Sequence, residues 1–209
     1  IIKSLKNSNN KIYCISDFKN IGIEILVDEY FIENINSNII LKLSLIYDID
    51  IVIIGSEKYL NTTIPDTLLQ YNINCFGPTS FYSQLELDKG FARNLISKIN
   101  TNYNPKYKIF YSFDKKKITE YLEELHDEYV IKYSGIKGGK GVKIYGDHLN
   151  DINDSLFYCW QIIDEGHNII IEEKLIGEEF SFQSFCDGKN LLHTIPIKDY
   201  KRLKNNNYG

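Results

Sequence analysis

Tyr129-Val-Ile-Lys-Tyr-Ser-Gly-Ile-Lys-Gly-Gly-Lys-Gly-Val142 is an apolar run broken by one lysine and followed by a glycine-rich loop. Tyr129 to Tyr133 has the β-branched and aromatic content of a strand, and Val142 to Tyr145 that of a second. Between them, Gly135, Gly138, Gly139 and Gly141 let the backbone turn several N–H groups toward one point, while Lys137 and Lys140 add positive charge. Such a loop suits a polyphosphate, although a plain hairpin turn carries the same residues. It is not a Walker A loop, because Lys140 is followed by Gly141-Val142 rather than by Ser or Thr opening a helix. Lys132 bears on the choice. An ammonium inside an apolar strand is costly to bury without solvent or an anion beside it. A ligand phosphate would be such an anion, and an outward position on an edge strand is the alternative.

Downstream, the pattern gives a helix over about 151–164, a strand over 168–173, a strand over 179–186 and a turn at Asp187-Gly188. Together with the loop this reads as a small α+β module. Within it, Ile169-Ile-Ile-Glu-Glu-Lys-Leu-Ile-Gly-Glu-Glu179 is an apolar strand ending in carboxylates, with Gly177 able to turn Glu172 and Glu179 toward one cleft. Nucleotide binding uses such parts: a backbone hinge along the adenine edge and a carboxylate that accepts from ribose hydroxyls. A solvated strand end has the same composition.

Upstream, Asp114 is placed to cap a helix in which Ile118, Tyr121, Leu122 and Leu125 form one apolar stripe, with Lys115, Lys116 and Lys117 as its solvated start. Asp88 is placed to cap a helix running to about Lys98. The polar stretch from Asn100 to Lys108, which holds Pro105, reads as a linker. Earlier still, strand and helix patterns alternate, from Lys11 to Ile15, from Ile39 to Tyr47, and around Pro65 to Tyr71 before a strand ending at Phe76 and the breaker pair Gly77-Pro78. Asp50-Ile-Val-Ile-Ile-Gly55 is apolar on both faces, as expected of a central parallel strand with helices on each side. Its carboxyl end should face a ligand crevice.

The 209 residues are 43% hydrophobic and 25% charged, in the range of folded globular chains, and the net charge of -4 gives no global attraction to nucleic acid. Cys14, Cys75, Cys159 and Cys186 lie far apart and without metal-ligand spacing, so they read as buried thiols of a reducing compartment. No apolar run approaches the roughly 20 residues that cross a bilayer. The expectation is a cytoplasmic protein with no membrane and no nucleic-acid partner. The chain opens on Ile1 and holds no Met, which reads as a trimmed start.

The order Lys89, Lys132, glycine loop, Glu172-Glu-Lys-Leu175 and Glu179 resembles the ATP-grasp fold, in which two small sheets close over ATP. More closely, the chain resembles the phosphoribosylamine–glycine ligases of purine synthesis. Their members carry patterns similar to Gly55-Ser-Glu57, Phe76-Gly-Pro78, Gln84-Leu-Glu-Leu-Asp-Lys-Gly-Phe91, the loop from Gly135 to Val142, the segment from Glu172 to Glu179, and Asp199-Tyr-Lys-Arg202. The resemblance implies an α/β chain: a parallel-sheet, pre-ATP-grasp domain over 1–90 lacking its first strand, then an incomplete ATP-grasp domain over 91–209 with a lid subdomain over about 127–190.

It implies ATP contacts from Lys89, Lys132, Gly138, Gly139, Lys140, Gly141, Glu172, Glu173, Lys174, Leu175 and Glu179, and substrate contacts from Gly55, Glu57 and Asp199. Lys201 and Arg202 would serve the reacting centre. The implied reaction joins glycine to 5-phosphoribosylamine through a glycyl phosphate, with ATP and Mg²⁺. The metal's ligands are expected beyond Gly209 and none within this chain, so the chain alone is expected to be inactive. A nucleotide-binding remnant without turnover, or an ATP-grasp ligase for another acid, fits the same motifs, and fusion to other purine-synthesis domains is compatible with them. Two departures stand out: Lys137 adds a charge to the loop, and Tyr200 stands where a His is usual in the family.

Overall fold

The computed structural model describes residues 1–135 and 141–200. The first half alternates helices with short strands: α1 (Ile2–Lys6), β1 (Tyr13–Ser16), α2 (Ile21–Glu24), β2 (Glu29–Ile32), α3 (Ser37–Ile46), β3 (Ile51–Ile53), α4 (Ile64–Gln70), β4 (Asn74–Phe76) and α5 (Ser80–Leu87). β1 pairs with β2 and β3 with β4, both in parallel, so a helical crossover joins each pair. The Asn36 side chain accepts from the Ile39 N–H to start α3, and Pro65 sits in the first turn of α4, where its missing donor costs nothing. Ile40, Ile64 and Leu68 form the core of this half, and Val52 and Ile54 pack against it.

The second face of β3 is only partly covered: Val52 and Ile54 face α3 and α4, while on the opposite side of the pleat Ile53 is half-buried and Ile51 is 53% exposed. The apolar run at 51–54 therefore does not mark a strand buried on both sides.

The second half contains α6 (Lys89–Ile99), β5 (Tyr107–Phe110), α7 (Lys115–Glu124), β6 (Tyr129–Tyr133), β7 (Val142–Ile144), α8 (Ile152–Asp164) and β8 (Ile169–Glu173). Its four strands form one antiparallel sheet in the order β5-β8-β6-β7. Alternation along the strands sorts the side chains by face. Tyr129, Ile131 and Tyr133 of β6 and Ile169 and Ile171 of β8 join Ile118, Tyr121 and Leu122 of α7 and Leu156, Cys159 and Ile162 of α8 in the main core. Burying each large apolar side chain contributes about 1.5–3 kcal/mol, which makes this face the anchor of the fold. Val130, Lys132, Ile170 and Glu172 point to the other face, and α6 crosses it. A Cβ at Gly90 would lie 3.1 Å from Ile109 Cδ1 and 3.8 Å from Ile170 Cδ1, so the helix rests close to the sheet.

No linker separates α5 from α6. Asp88 ends the first helix and caps the second, its carboxylate accepting from the N–H groups of Gly90 and Phe91. The expected linker at 100–108 is a corrected reading as well. A single turn at Thr101–Tyr103 leads into β5, whose first residues are Tyr107 and Lys108. Polar side chains here are structural: Asn104 Nδ2 donates to the Arg93 carbonyl at 2.7 Å and lies 2.8 Å from Ser97 Oγ.

Beyond Glu173 come β9 (Phe180–Ser181), β10 (Ser184–Cys186), β11 (Leu191–His193) and β12 (Ile197–Lys198). The strand expected over 179–186 is split, because β9 pairs with β12 while β10 pairs with β11. Pro196, between β11 and β12, has no N–H to continue a ladder, so the partner strand breaks too. Cys186 is exposed on this hairpin rather than buried, whereas Cys159 is buried in the main core. Phe185 reaches the first half, its ring centroid 5.8 Å from that of Phe76. No helix among the described residues is long and apolar enough to cross a membrane.

Candidate functional site

The face of the sheet under α6 carries a charge cluster at the foot of the glycine loop. In the antiparallel register Val130 lies opposite Glu172 and Lys132 opposite Ile170, so Lys132 and Glu172 are diagonal neighbours on one face, within reach of a long side chain. Lys132 Nζ lies 2.6 Å from Glu172 Oε2. From α6, Arg93 grips the same carboxylate at both oxygens, with Nε 2.7 Å from Oε1 and Nη2 2.9 Å from Oε2. Glu172 is only 2% exposed. Burial opposes its ionisation, but the Arg93 hydrogen bonds and the Lys132 charge together outweigh that and hold the carboxyl below its ordinary value of 4.5.

That shift fixes a pH dependence. Between the folded and the unfolded value the unfolded chain binds more protons, so the cluster's stabilisation is complete above the unfolded value and is lost as pH falls through the folded one. Chemical denaturation between about pH 6 and pH 3 is expected to show stability falling with acid, with a shallower fall in Glu172→Gln.

Lys89 lies one helical turn before Arg93, on the same face of α6. Its Nζ donates to the Gly135 carbonyl at 2.6 Å and sits 5.8 Å from the Tyr133 ring centroid. Burial pushes this ammonium below the ordinary lysine range. Ser134 Oγ donates to Asp88 Oδ1 at 2.6 Å, which ties the same turn of chain to the start of α6. Two cations thus stand on the Glu172 carboxylate, and a third, Lys89, on the Gly135 carbonyl where the loop begins.

Both ends of the loop are built for glycine. Gly135 has φ +137°, a conformation that side chains disfavour, and a Cβ on Gly141 would fall 2.2 Å from Tyr133 Cδ1. Tyr133 N–H donates to the Gly141 carbonyl at 3.2 Å, extending the β6–β7 pairing to the loop's exit. Gly138, Gly139 and Lys140 lie outside the described residues, as do Lys201 and Arg202.

The other expected site residues divide into two places. Glu173 and Lys174 continue from Glu172, but Glu173 Oε1 accepts from the Lys106 N–H at 2.7 Å and the Lys174 N–H donates to the Glu128 carbonyl at 2.8 Å. Leu175 and Glu179 follow on the exposed turn, and the Asp199 N–H donates to the Glu179 carbonyl at 3.0 Å, so the β9–β12 pairing brings these two acids side by side. Gly55 and Glu57 lie in the first half, beyond the carboxyl end of β3. There Tyr59 Oη donates to Asp17 Oδ2 at 2.8 Å and Lys58 pairs with the same carboxylate, joining the ends of β1 and β3.

Arg93 was not legible as a site residue, although a signal for it existed. A carboxylate in the apolar run Ile169-Ile-Ile-Glu172 needs a buried cation, and the helix already chosen for Lys89 presents Arg93 one turn on. Among the described residues no three His, Cys, Asp or Glu side chains gather as metal ligands.

Comparison with known proteins gives this arrangement a context. The model for the N domain of phosphoribosylglycinamide synthetase matches residues 1–86, and that for its ATP-grasp (A) domain matches residues 87–209. The chain is 32% identical over 212 residues to a phosphoribosylamine–glycine ligase of Methanosarcina barkeri, covering 100% of this chain and 48% of the relative. It is 40% identical over 161 residues to that of Methanococcoides burtonii, covering 77% of this chain and 36% of the relative. The chain therefore spans less than half the length of these curated relatives. Among solved structures, phosphoribosylamine–glycine ligase from Thermotoga maritima superposes with a TM-score of 0.71 at 22% identity, over 99% of this chain and 48% of that one. N5-carboxyaminoimidazole synthetase from Staphylococcus aureus complexed with ADP gives 0.68 at 14% identity, over 99% of this chain and 51% of that one. Matched by both domain models along its whole length, the chain belongs to the phosphoribosylglycinamide synthetase family.

Proposed function

We propose that this chain supplies the amine-side domain and the first part of the ATP cleft of a ligase that joins glycine to 5-phosphoribosylamine, with cleavage of ATP to ADP and phosphate. The observation that carries this reading is the cluster of Lys89, Arg93 and Lys132 between α6 and the sheet, at the foot of the glycine loop. In the family's reaction, glycine's carboxylate attacks the γ-phosphate and the amine then displaces phosphate from the acyl phosphate. Phosphoryl transfer of this kind needs positioning and positive charge more than covalent chemistry.

Lys132 and Lys89 are ammonium groups held on protein acceptors, a carboxylate and a carbonyl, at the positions where polyphosphate oxygens would compete for them. By the family resemblance, the loop from Gly138 to Gly141 would close over those oxygens. Adenine and ribose would lie along the Lys174 and Leu175 backbone and Glu179, since the Glu172 carboxylate is held by Arg93 and Lys132. Glu57 and Gly55 would face the amine, and Asp199 with Lys201 and Arg202 the glycine end. Mg²⁺ supplies further charge neutralisation in such reactions, but no cluster of three carboxylate, His or Cys ligands for it stands among the described residues. A cytoplasmic location agrees with this assignment.

Calorimetric titration of ATP into the purified chain tests the cleft. Saturable binding that GTP fails to match is the expected result, and heats no larger than those of dilution would remove the assignment.

A further inference from the structure

We propose that Arg93 is a positioning residue for nucleotide: by holding both oxygens of Glu172, it leaves Lys132 free to exchange that carboxylate for a ligand phosphate. The inference rests on the nucleotide reading above and adds to it a residue that contacts no ligand. Its starting point is a conflict in the site. Lys132 makes a 2.6 Å ion pair with a carboxylate that is almost fully buried, so moving the ammonium to a phosphate would strip Glu172 of a counter-charge. A buried charge left without compensation is among the costliest defects a protein interior can hold. With Lys132 as the only partner, Glu172 would keep it and the nucleotide would lose the contest.

Arg93 removes the conflict through its shape. The guanidinium meets the carboxylate edge-on, its Nε on Oε1 and its Nη2 on Oε2, whereas Lys132 touches Oε2 alone. When Lys132 leaves, both oxygens of Glu172 retain a charged donor. Arginine suits this role because its fork is planar and permanently charged, while lysine's point charge on a flexible stem suits the exchange. Arg93 itself is held in place. Its Nη1 lies 3.4 Å from Asn104 Oδ1, and Asn104 in turn donates to the Arg93 carbonyl and contacts Ser97 Oγ. The guanidinium is therefore fixed to α6 and to Asn104, and cannot follow Lys132 to a ligand.

A double-mutant cycle separates this role from plain structural support. Calorimetry with ATP is run on the wild-type chain, Arg93→Met, Glu172→Gln and the double variant, with thermal unfolding recorded for each. Arg93→Met should weaken ATP binding by about tenfold or more, because Lys132 is then locked on the carboxylate. Adding Glu172→Gln to Arg93→Met removes the charge that locks it, so the double variant should bind within about threefold of Glu172→Gln alone. Arg93→Lys, which keeps the charge without the fork and guards against loss of folding, should fall between wild type and Arg93→Met. If Arg93 only supports the fold, the double variant binds no better than Arg93→Met, and the inference fails while ATP binding by the wild type stands. If the wild type takes up no ATP, the cleft assignment fails and this inference with it.

Discussion

Glu172→Ala is expected to lower the unfolding free energy by about 3 kcal/mol, measured by denaturant titration at neutral pH. The carboxylate is the only negative charge that both Arg93 and Lys132 touch within hydrogen-bonding distance among the described ion pairs, and its side chain is 3% exposed. Breaking a buried pair by removing one partner typically costs about 3–5 kcal/mol, because the remaining charge stays buried. The lower end applies here, since the side chains of Arg93 and Lys132 keep 24% and 21% of their surface exposed and can draw in some water. A loss below about 1 kcal/mol would mean that the cluster is solvated and does not anchor α6 to the sheet.

Lys132→Ala should give the opposite profile. ATP affinity is expected to drop about a hundredfold by calorimetry, in line with the cost of truncating one member of a hydrogen-bonded charge pair at a binding site. Stability should fall by only about 1 kcal/mol, because Arg93 still covers both oxygens of Glu172. The two variants thus separate by readout: one loses fold stability, the other ligand. Unchanged affinity in folded Lys132→Ala would take the phosphate role away from this lysine.

Much of the second half could be read in advance, and the reason is periodicity. Ile118, Tyr121, Leu122 and Leu125 recur at helical spacing and are all buried, and Tyr129 to Tyr133 is a strand with the boundaries that its composition suggested. Asp88, Asp114 and Asp151 each accept backbone N–H groups at a helix start, as side chains of that kind favour. What escaped the sequence was pairing. Tyr107–Phe110 looked like the end of a polar linker because an edge strand of four residues alternates too briefly to show a period, and its partner β8 lies far along the chain. The partner of Lys132 escaped for the same reason. A costly lysine in an apolar strand announces that an anion is near, but only the register of β6 against β8 says that Glu172 is that anion. The family motifs named Lys89, Lys132 and Glu172 as separate ligand contacts, whereas the fold joins Lys132 and Glu172 to each other through Arg93.

Asp88 closes α5 and opens α6 in a single residue, with no slack between the two helices. Its carboxylate accepts from the N–H groups of Gly90 and Phe91 and from Ser134 Oγ, so one side chain fixes both where α6 starts and where the chain leaves β6 for the glycine loop, and its loss would loosen both at once.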